Sequence, residues 1–249
     1  MKLFSERHPI VFEIMVVVAA FVLAAVFGLA CDIVGFPKEL CSAMGRIMVG
    51  LMLLIAFRRR FDIAKQFRGW LYALPALGFV LWNVLNHFLS GGKFCPPSIK
   101  FFILGFAPGI FEEVIFRGIF VSNLKAAGKS DFAAIMISAL GFGAIHLTNA
   151  VGDASMLQVL VQVSYAVVVG MVFGAIFIRT GNIMSIIAVH TAIDISWRVF
   201  NSMPCTTVLP LAAFVAVLVV EAAYALMLTF RKPDSCKCAN NHYPISSIQ

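Results

Sequence analysis

Three short segments place ionisable side chains at spacings that permit acid–base chemistry. The first, Phe111-Glu112-Glu113-Val114-Ile115-Phe116-Arg117-Gly118, sets two adjacent carboxylates ahead of an arginine. On a helix Glu113 and Arg117 lie at i and i+4 and can pair on one face. Glu112 is turned about 100° away and stays free to act on water or a metal. A structural pair needs one acid, so the second carries the functional weight; a buried structural cluster of all three is the alternative. The second segment, Phe142-Gly143-Ala144-Ile145-His146, offers an imidazole. A lone histidine in a helix is more often a packed core residue than a catalyst. Gly141, Gly143 and Ala144, however, let another helix approach closely and bring a partner within reach. The third, His190-Thr191-Ala192-Ile193-Asp194, puts His and Asp on one helical face. That spacing suits two ligands of one metal or a structural hydrogen bond.

The elements that hold these groups must be membrane helices. Hydrophobic residues make up 61% of the 249 and charged residues 12%, against about 45–50% and 25% in ordinary soluble domains. Mean hydropathy is +0.96. A soluble enzyme, a disordered regulator and a secreted disulfide scaffold are excluded by that balance. Apolar stretches near the length of about 20 residues that a bilayer requires recur along the chain. They run over 11–31, 43–57, 70–89, 100–124, 132–151, 156–178, 183–200 and 208–230. The fourth is interrupted by Glu112, Glu113 and Arg117. No ten-residue alternation marks a membrane barrel. The expectation is an all-α polytopic helical bundle of about eight transmembrane helices. It forms a single transmembrane domain over 1–230, with its motif-bearing core at about 100–200. A disordered cytoplasmic tail is expected over 231–249.

Lysine and arginine set the orientation. With eight spans, one side holds Lys2, Arg7, Arg58, Arg59, Arg60, Lys65, Arg68, Lys125, Lys129, Arg179, Arg231, Lys232 and Lys237. The other holds only Lys38, Lys93 and Lys100. Both termini are therefore expected in the cytoplasm, with the chain multi-pass in the cell membrane. The net charge of +7 then reflects topology and anionic lipid headgroups. No nucleic-acid partner is expected, because no aromatic-basic patch accompanies Arg58-Arg59-Arg60. The first span exceeds the apolar core of a signal peptide and is expected to be a retained anchor. Cys31, Cys41, Cys95 and Cys205 fall near the non-cytoplasmic face, where they form disulfides or serve as small packing residues. Arg46 and Arg198, near span ends, are expected to snorkel. Asn83, Asn86, His87, Gln158 and Gln162 are expected to bond between helices or line a cavity. Glu221 is isolated, and the sequence supplies no account of it.

Depth decides whether the three segments can meet. At a rise of 1.5 Å per residue, Glu112 lies about 18 Å from the cytoplasmic end of its span and His146 about 22 Å. His190 lies about 14 Å in and Asp194 about 20 Å. All four fall in one mid-membrane layer. Each such charge costs roughly 2.5–3.5 kcal/mol on insertion scales, so a functional role is the default expectation.

In this order the segments resemble the signatures of the CAAX-protease and bacteriocin-processing (CPBP, or Abi) family of intramembrane endopeptidases. That pattern is Glu-Glu-x-x-x-Arg, Phe-x-x-x-His, and His-x-x-x-Asn or Asp, matched by Glu112-Glu113…Arg117, Phe142…His146 and His190…Asp194. The resemblance covers roughly residues 100–200. It implies an eight-helix bundle with a water-filled cavity in which peptide bonds of membrane-associated substrates are hydrolysed. By family likeness, Glu112 and His146 activate the attacking water. His190 and Asp194 stabilise the oxyanion or help hold a metal, and Arg117 positions the glutamates.

Two mechanisms stay open at the level of sequence. In one, Glu112 is a general base and no metal takes part. In the other, Glu112, His146, His190 and Asp194 hold zinc or another divalent ion that acidifies water. An ionised Asp194 cannot donate to an oxyanion, whereas Asn can. Asp194 therefore needs a proton, a metal, or a role orienting His190. Two rival functions share the same residues: an ion or metal transporter with a midplane Glu/His site, and a non-catalytic scaffold or immunity protein of the same fold.

Overall fold

A computed structural model describes residues 4–58, 67–151, 155–200 and 208–231. Among them the regular elements are helices, and no strand occurs. In chain order they are α1 (Phe4–Arg7), α2 (Pro9–Ile33), α3 (Lys38–Ala56), α4 (Phe67–Ala73), α5 (Gly78–Ser90) and α6 (Ile99–Glu113). These are followed by α7 (Ser122–Ala126), α8 (Asp131–Ile145), α9 (Met156–Thr180), α10 (Ile183–Phe200) and α11 (Val208–Phe230). Among the described residues, seven helical stretches are long and apolar enough to cross a bilayer: Pro9–Ile33, Lys38–Ala56, Gly69–Ser90, Asp131–Thr148, Met156–Thr180, Ile183–Phe200 and Leu209–Phe230. The architecture is that of an all-α polytopic membrane bundle. The eighth expected span is helical as well, running through α6, a π-helical stretch at Val114–Val121, and α7.

That charged span can exist because lipid never meets its centre. Every residue from Ala107 to Val121 is buried, with α2, α3, α8, α9 and α10 packed around it. The outer helices carry the lipid face. On α2, Val11, Ile14, Val18, Val22, Val26 and Leu29 are exposed at helical spacing. Ala20, Ala24 and Gly28 turn inward. Small residues set the closeness of the crossings, as expected where dispersion rather than water exclusion drives association. A Cβ at Gly45 would collide with the Ala24 carbonyl of α2, and one at Gly143 would sit 2.5 Å from Val167 of α9. At Gly109 a Cβ would meet Thr191 Oγ1 of α10 at 2.7 Å.

Several elements depart from the spans read in the sequence, each for a local reason. The second span, α3, begins at Lys38, so it is 19 residues long and not short. The third span is broken: Pro75 cannot continue the ladder, and a 3-10 turn at Pro75–Leu77 separates α4 from α5. Glu221 lies there: its buried carboxylate packs where α5 restarts, and any side chain at Gly78 would overlap it. The fifth span leaves α-helix at Ile145, and His146 opens a 3-10 turn reaching Val151.

Polar side chains in the bundle mostly bond between helices, as expected for the amides. Asn83 Nδ2 donates to the Ile193 carbonyl at 3.1 Å and to Ser196 Oγ at 2.8 Å. His87 Nδ1 lies 2.6 Å from the Phe200 carbonyl. Gln158 instead closes a capping box with Ser155 at the start of α9. Cys31, Cys41 and Cys95 are free thiols. Cys205, the tail after Arg231 and the basic loop containing Arg59, Arg60 and Lys65 lie outside the described residues.

Candidate functional site

Glu112 and Glu113 close α6 where its hydrogen-bond ladder widens into the π-helical stretch. π-helical stretches are rare and occur frequently at functional sites. The loosened ladder leaves backbone groups to be satisfied from outside. Ser138 Oγ of α8 donates to the Phe116 carbonyl at 3.0 Å. Arg117 projects from the same stretch into the bundle centre, fully buried. Its Nη1 donates to Glu113 Oε1 at 2.8 Å, the pair anticipated from i, i+4 spacing. The guanidinium also sits over the Phe142 ring at 4.4 Å and the Phe173 ring at 5.5 Å. Such aromatic faces partly replace the water an arginine has lost.

Glu113 is more than the arginine's counter-charge. The same Oε1 accepts from His190 Nδ1 at 2.6 Å. That contact depends on the close approach of α6 and α10 at Gly105 and Gly109. It commits the Nδ1 proton of His190 and aims Nε2 at the cavity. Nε2 lies 3.8 Å from Glu112 Oε2 and 4.0 Å from Asp194 Oδ1. Neither is a direct hydrogen bond, and gaps of this size are those a bridging water fills. The carboxylate bonded directly to His190 is thus Glu113 and not Asp194.

His146 is positioned by the end of its own helix. Its backbone N–H turns to the carbonyls of Ala144 and Gly143 as α8 tightens. The ring Nδ1 then bonds the Phe142 carbonyl at 2.9 Å. A donated Nδ1 proton leaves Nε2 as the acceptor, the form a general base or ligand requires.

Glu112, His146, His190 and Asp194 all line one cavity of about 450 Å³. Glu113 and Arg117 do not line it; they lie behind it and hold His190. The cavity reaches the end of the bundle where α3 and α6 begin and α10 finishes, since Glu39 and Arg198 also border it. Arg46 is a further lining residue. Both arginines, expected to snorkel, instead face inward. Arg198 Nη1 donates to the Asp194 carbonyl at 3.1 Å and lies 4.0 Å from Asp194 Oδ2. Gln162 and Thr148 add polar lining. The sequence pointed Arg46 to snorkelling because its helix bears no motif; the signal for a lining role was a cation amid apolar residues. Among the described residues, no group of three or more His, Cys, Asp or Glu side chains is arranged to hold a metal ion.

Residues 94–196 match the family model described as type II CAAX prenyl endopeptidase Rce1-like. All three motifs fall inside that segment, which is the resemblance their order indicated. Neither the curated proteins nor the solved structures contain a match.

Proposed function

We propose that this chain, Rce1-like over residues 94–196, is an intramembrane endopeptidase acting on membrane-associated peptides or proteins. The observation that carries the proposal is the meeting of Glu112, His146, His190 and Asp194, drawn from three separate helical segments, around one cavity. Acid and imidazole groups facing one cavity can hold and activate a water within an otherwise apolar bundle. Glu112, assisted by His146 Nε2, takes a proton from water as its oxygen attacks the peptide carbonyl carbon. The carbonyl π electrons move to oxygen. His190 Nε2–H donates to that oxyanion when the imidazole carries both protons, because Nδ1–H is already committed to Glu113. Collapse of the intermediate breaks the C–N bond, and the proton held by Glu112 passes to the leaving amine. Asp194, an acceptor when ionised, faces His190 Nε2 across a water-sized gap. The basic loops on the N-terminal side support cytoplasmic termini. The cavity then opens to the non-cytoplasmic face, and substrates reach it from there.

Glu112→Gln keeps the shape and removes the base. Membranes carrying wild-type protein or this variant, compared by proteomics for new peptide ends, should differ by the substrate's cleavage products. Cleavage of that substrate by purified protein should fall by at least about 100-fold. Unchanged cleavage would sink the proposal in favour of a scaffold. Ion flux altered by Glu112→Gln in proteoliposomes would favour a transporter.

A further inference from the structure

The proposed chemistry leaves one charged group of the cavity without a task. Along α3, Glu39, Ser42, Ala43 and Arg46 border the cavity, the three-and-four spacing of a single helical face. Glu39 is engaged at the rim by Lys100 of α6 at 2.8 Å. Arg46 lies two turns deeper, about 10 Å along the axis. The other cations turned toward this region are taken: Arg117 by Glu113 and Arg198 by the Asp194 carbonyl. Arg46 makes no hydrogen bond and no ion pair with the described residues. It shares the cavity with Glu112 and Asp194, yet pairs with neither. A guanidinium serving only to balance those carboxylates would close on one of them, as Arg117 does on Glu113.

Its level matters too. Arg46 is about 12 Å below the start of α3, while Asp194 and His190 are about 9 and 15 Å below the end of α10. Arg46 therefore stands beside the water-activating groups and not at the mouth. Guanidinium presents a rigid fork of donors that matches a carboxylate in two parallel hydrogen bonds. A peptide supplies a carboxylate at its C-terminus or on an Asp or Glu side chain. The surrounding acids disfavour a more highly charged phosphate.

We infer that Arg46 is a specificity-determining residue that binds a carboxylate of the peptide substrate, within a few residues of the bond cut. Arg46 lies outside the segment 94–196 that matches the endopeptidase family. The inference deepens the protease reading and rests on it for the meaning of the site, though the binding itself can be measured separately.

The probe is a mixture of short N-acetylated apolar peptides in three forms: free C-terminal carboxylate, C-terminal carboxamide, and carboxamide with one internal Glu. Binding is read on the full-length Glu112→Gln protein as thermal stabilisation, and cleavage on the otherwise wild-type protein by mass spectrometry. Binding should favour at least one carboxylate form over the plain carboxamide by roughly tenfold or more. The form preferred tells the C-terminal from the side-chain source. Adding Arg46→Gln should collapse that ratio toward one, through KM more than kcat in the cleavage assay, and Arg46→Lys should restore part of it. Equal binding of all forms, or equal weakening of all by Arg46→Gln, overturns the inference. An Arg46-dependent preference in binding with no cleavage of any form upholds the carboxylate site and overturns the protease.

Discussion

The shared oxygen of Glu113 makes a prediction in which stability and activity part company. Glu113 and Arg117 are fully buried, and Glu113 Oε1 accepts from Arg117 at 2.8 Å and from His190 at 2.6 Å. Glu113→Gln removes the counter-charge and leaves a guanidinium unpaired in the bundle centre. Breaking a buried pair in this way costs about 3–5 kcal/mol. The Phe142 and Phe173 faces remain under the guanidinium and return up to about 2 kcal/mol when desolvated, which favours the lower end. For a chain of this size, about 3 kcal/mol lowers the unfolding temperature by roughly 6–12 °C. Removing both charges, Glu113→Gln with Arg117→Met, leaves no orphan and should recover most of that loss. Activity should not recover, because His190 has still lost the carboxylate that fixes Nδ1–H. The assay is thermal unfolding of the purified proteins in one detergent, beside cleavage by the same samples. A double variant no more stable than Glu113→Gln, or one that regains cleavage, would refute the reasoning.

Two further predictions test the approach of the helices and whether a metal takes part. Gly109→Val drives a branched side chain into Thr191 Oγ1; overpacking of this kind costs about 1–3 kcal/mol. By displacing α10 it should lower cleavage more than stability, whereas full activity would show that the α6–α10 spacing does not set the site. Activity of the purified protein should survive a strong zinc chelator. Loss that zinc restores would transfer the water-activating role from Glu112 to a bound ion.

The charged motifs were legible because lipid makes them expensive: Glu112, Glu113, Arg117, His146, His190 and Asp194 stood out against long apolar runs. Their common depth followed from helical rise alone. What could not be read was the rotation of each helix about its axis. Arg46 and Arg198 lie near span ends, where snorkelling is the default, and only the packing of α3 and α10 turns them inward. The break at Pro75 was masked because Ala73, Leu74, Ala76 and Leu77 keep hydropathy high across it.

The π-helical stretch marks the limit of helical arithmetic at the site itself. Uniform α spacing accounts for Glu113 meeting Arg117, and it still holds across four residues. It does not account for Glu113 reaching His190, which needs Gly105 and Gly109 to bring α10 against α6. Nor does it supply Ser138, whose hydroxyl takes up the Phe116 carbonyl within the widened turn. Both are contacts between distant segments, so no local pattern announces them. They convert a row of charges on one helix into an arrangement in which one carboxylate, Glu113, fixes a neighbour's imidazole. The adjacent carboxylate, Glu112, lines the cavity. The two adjacent glutamates thus have different surroundings, one holding His190 and one facing the cavity, and neither can take the other's place without turning the helix.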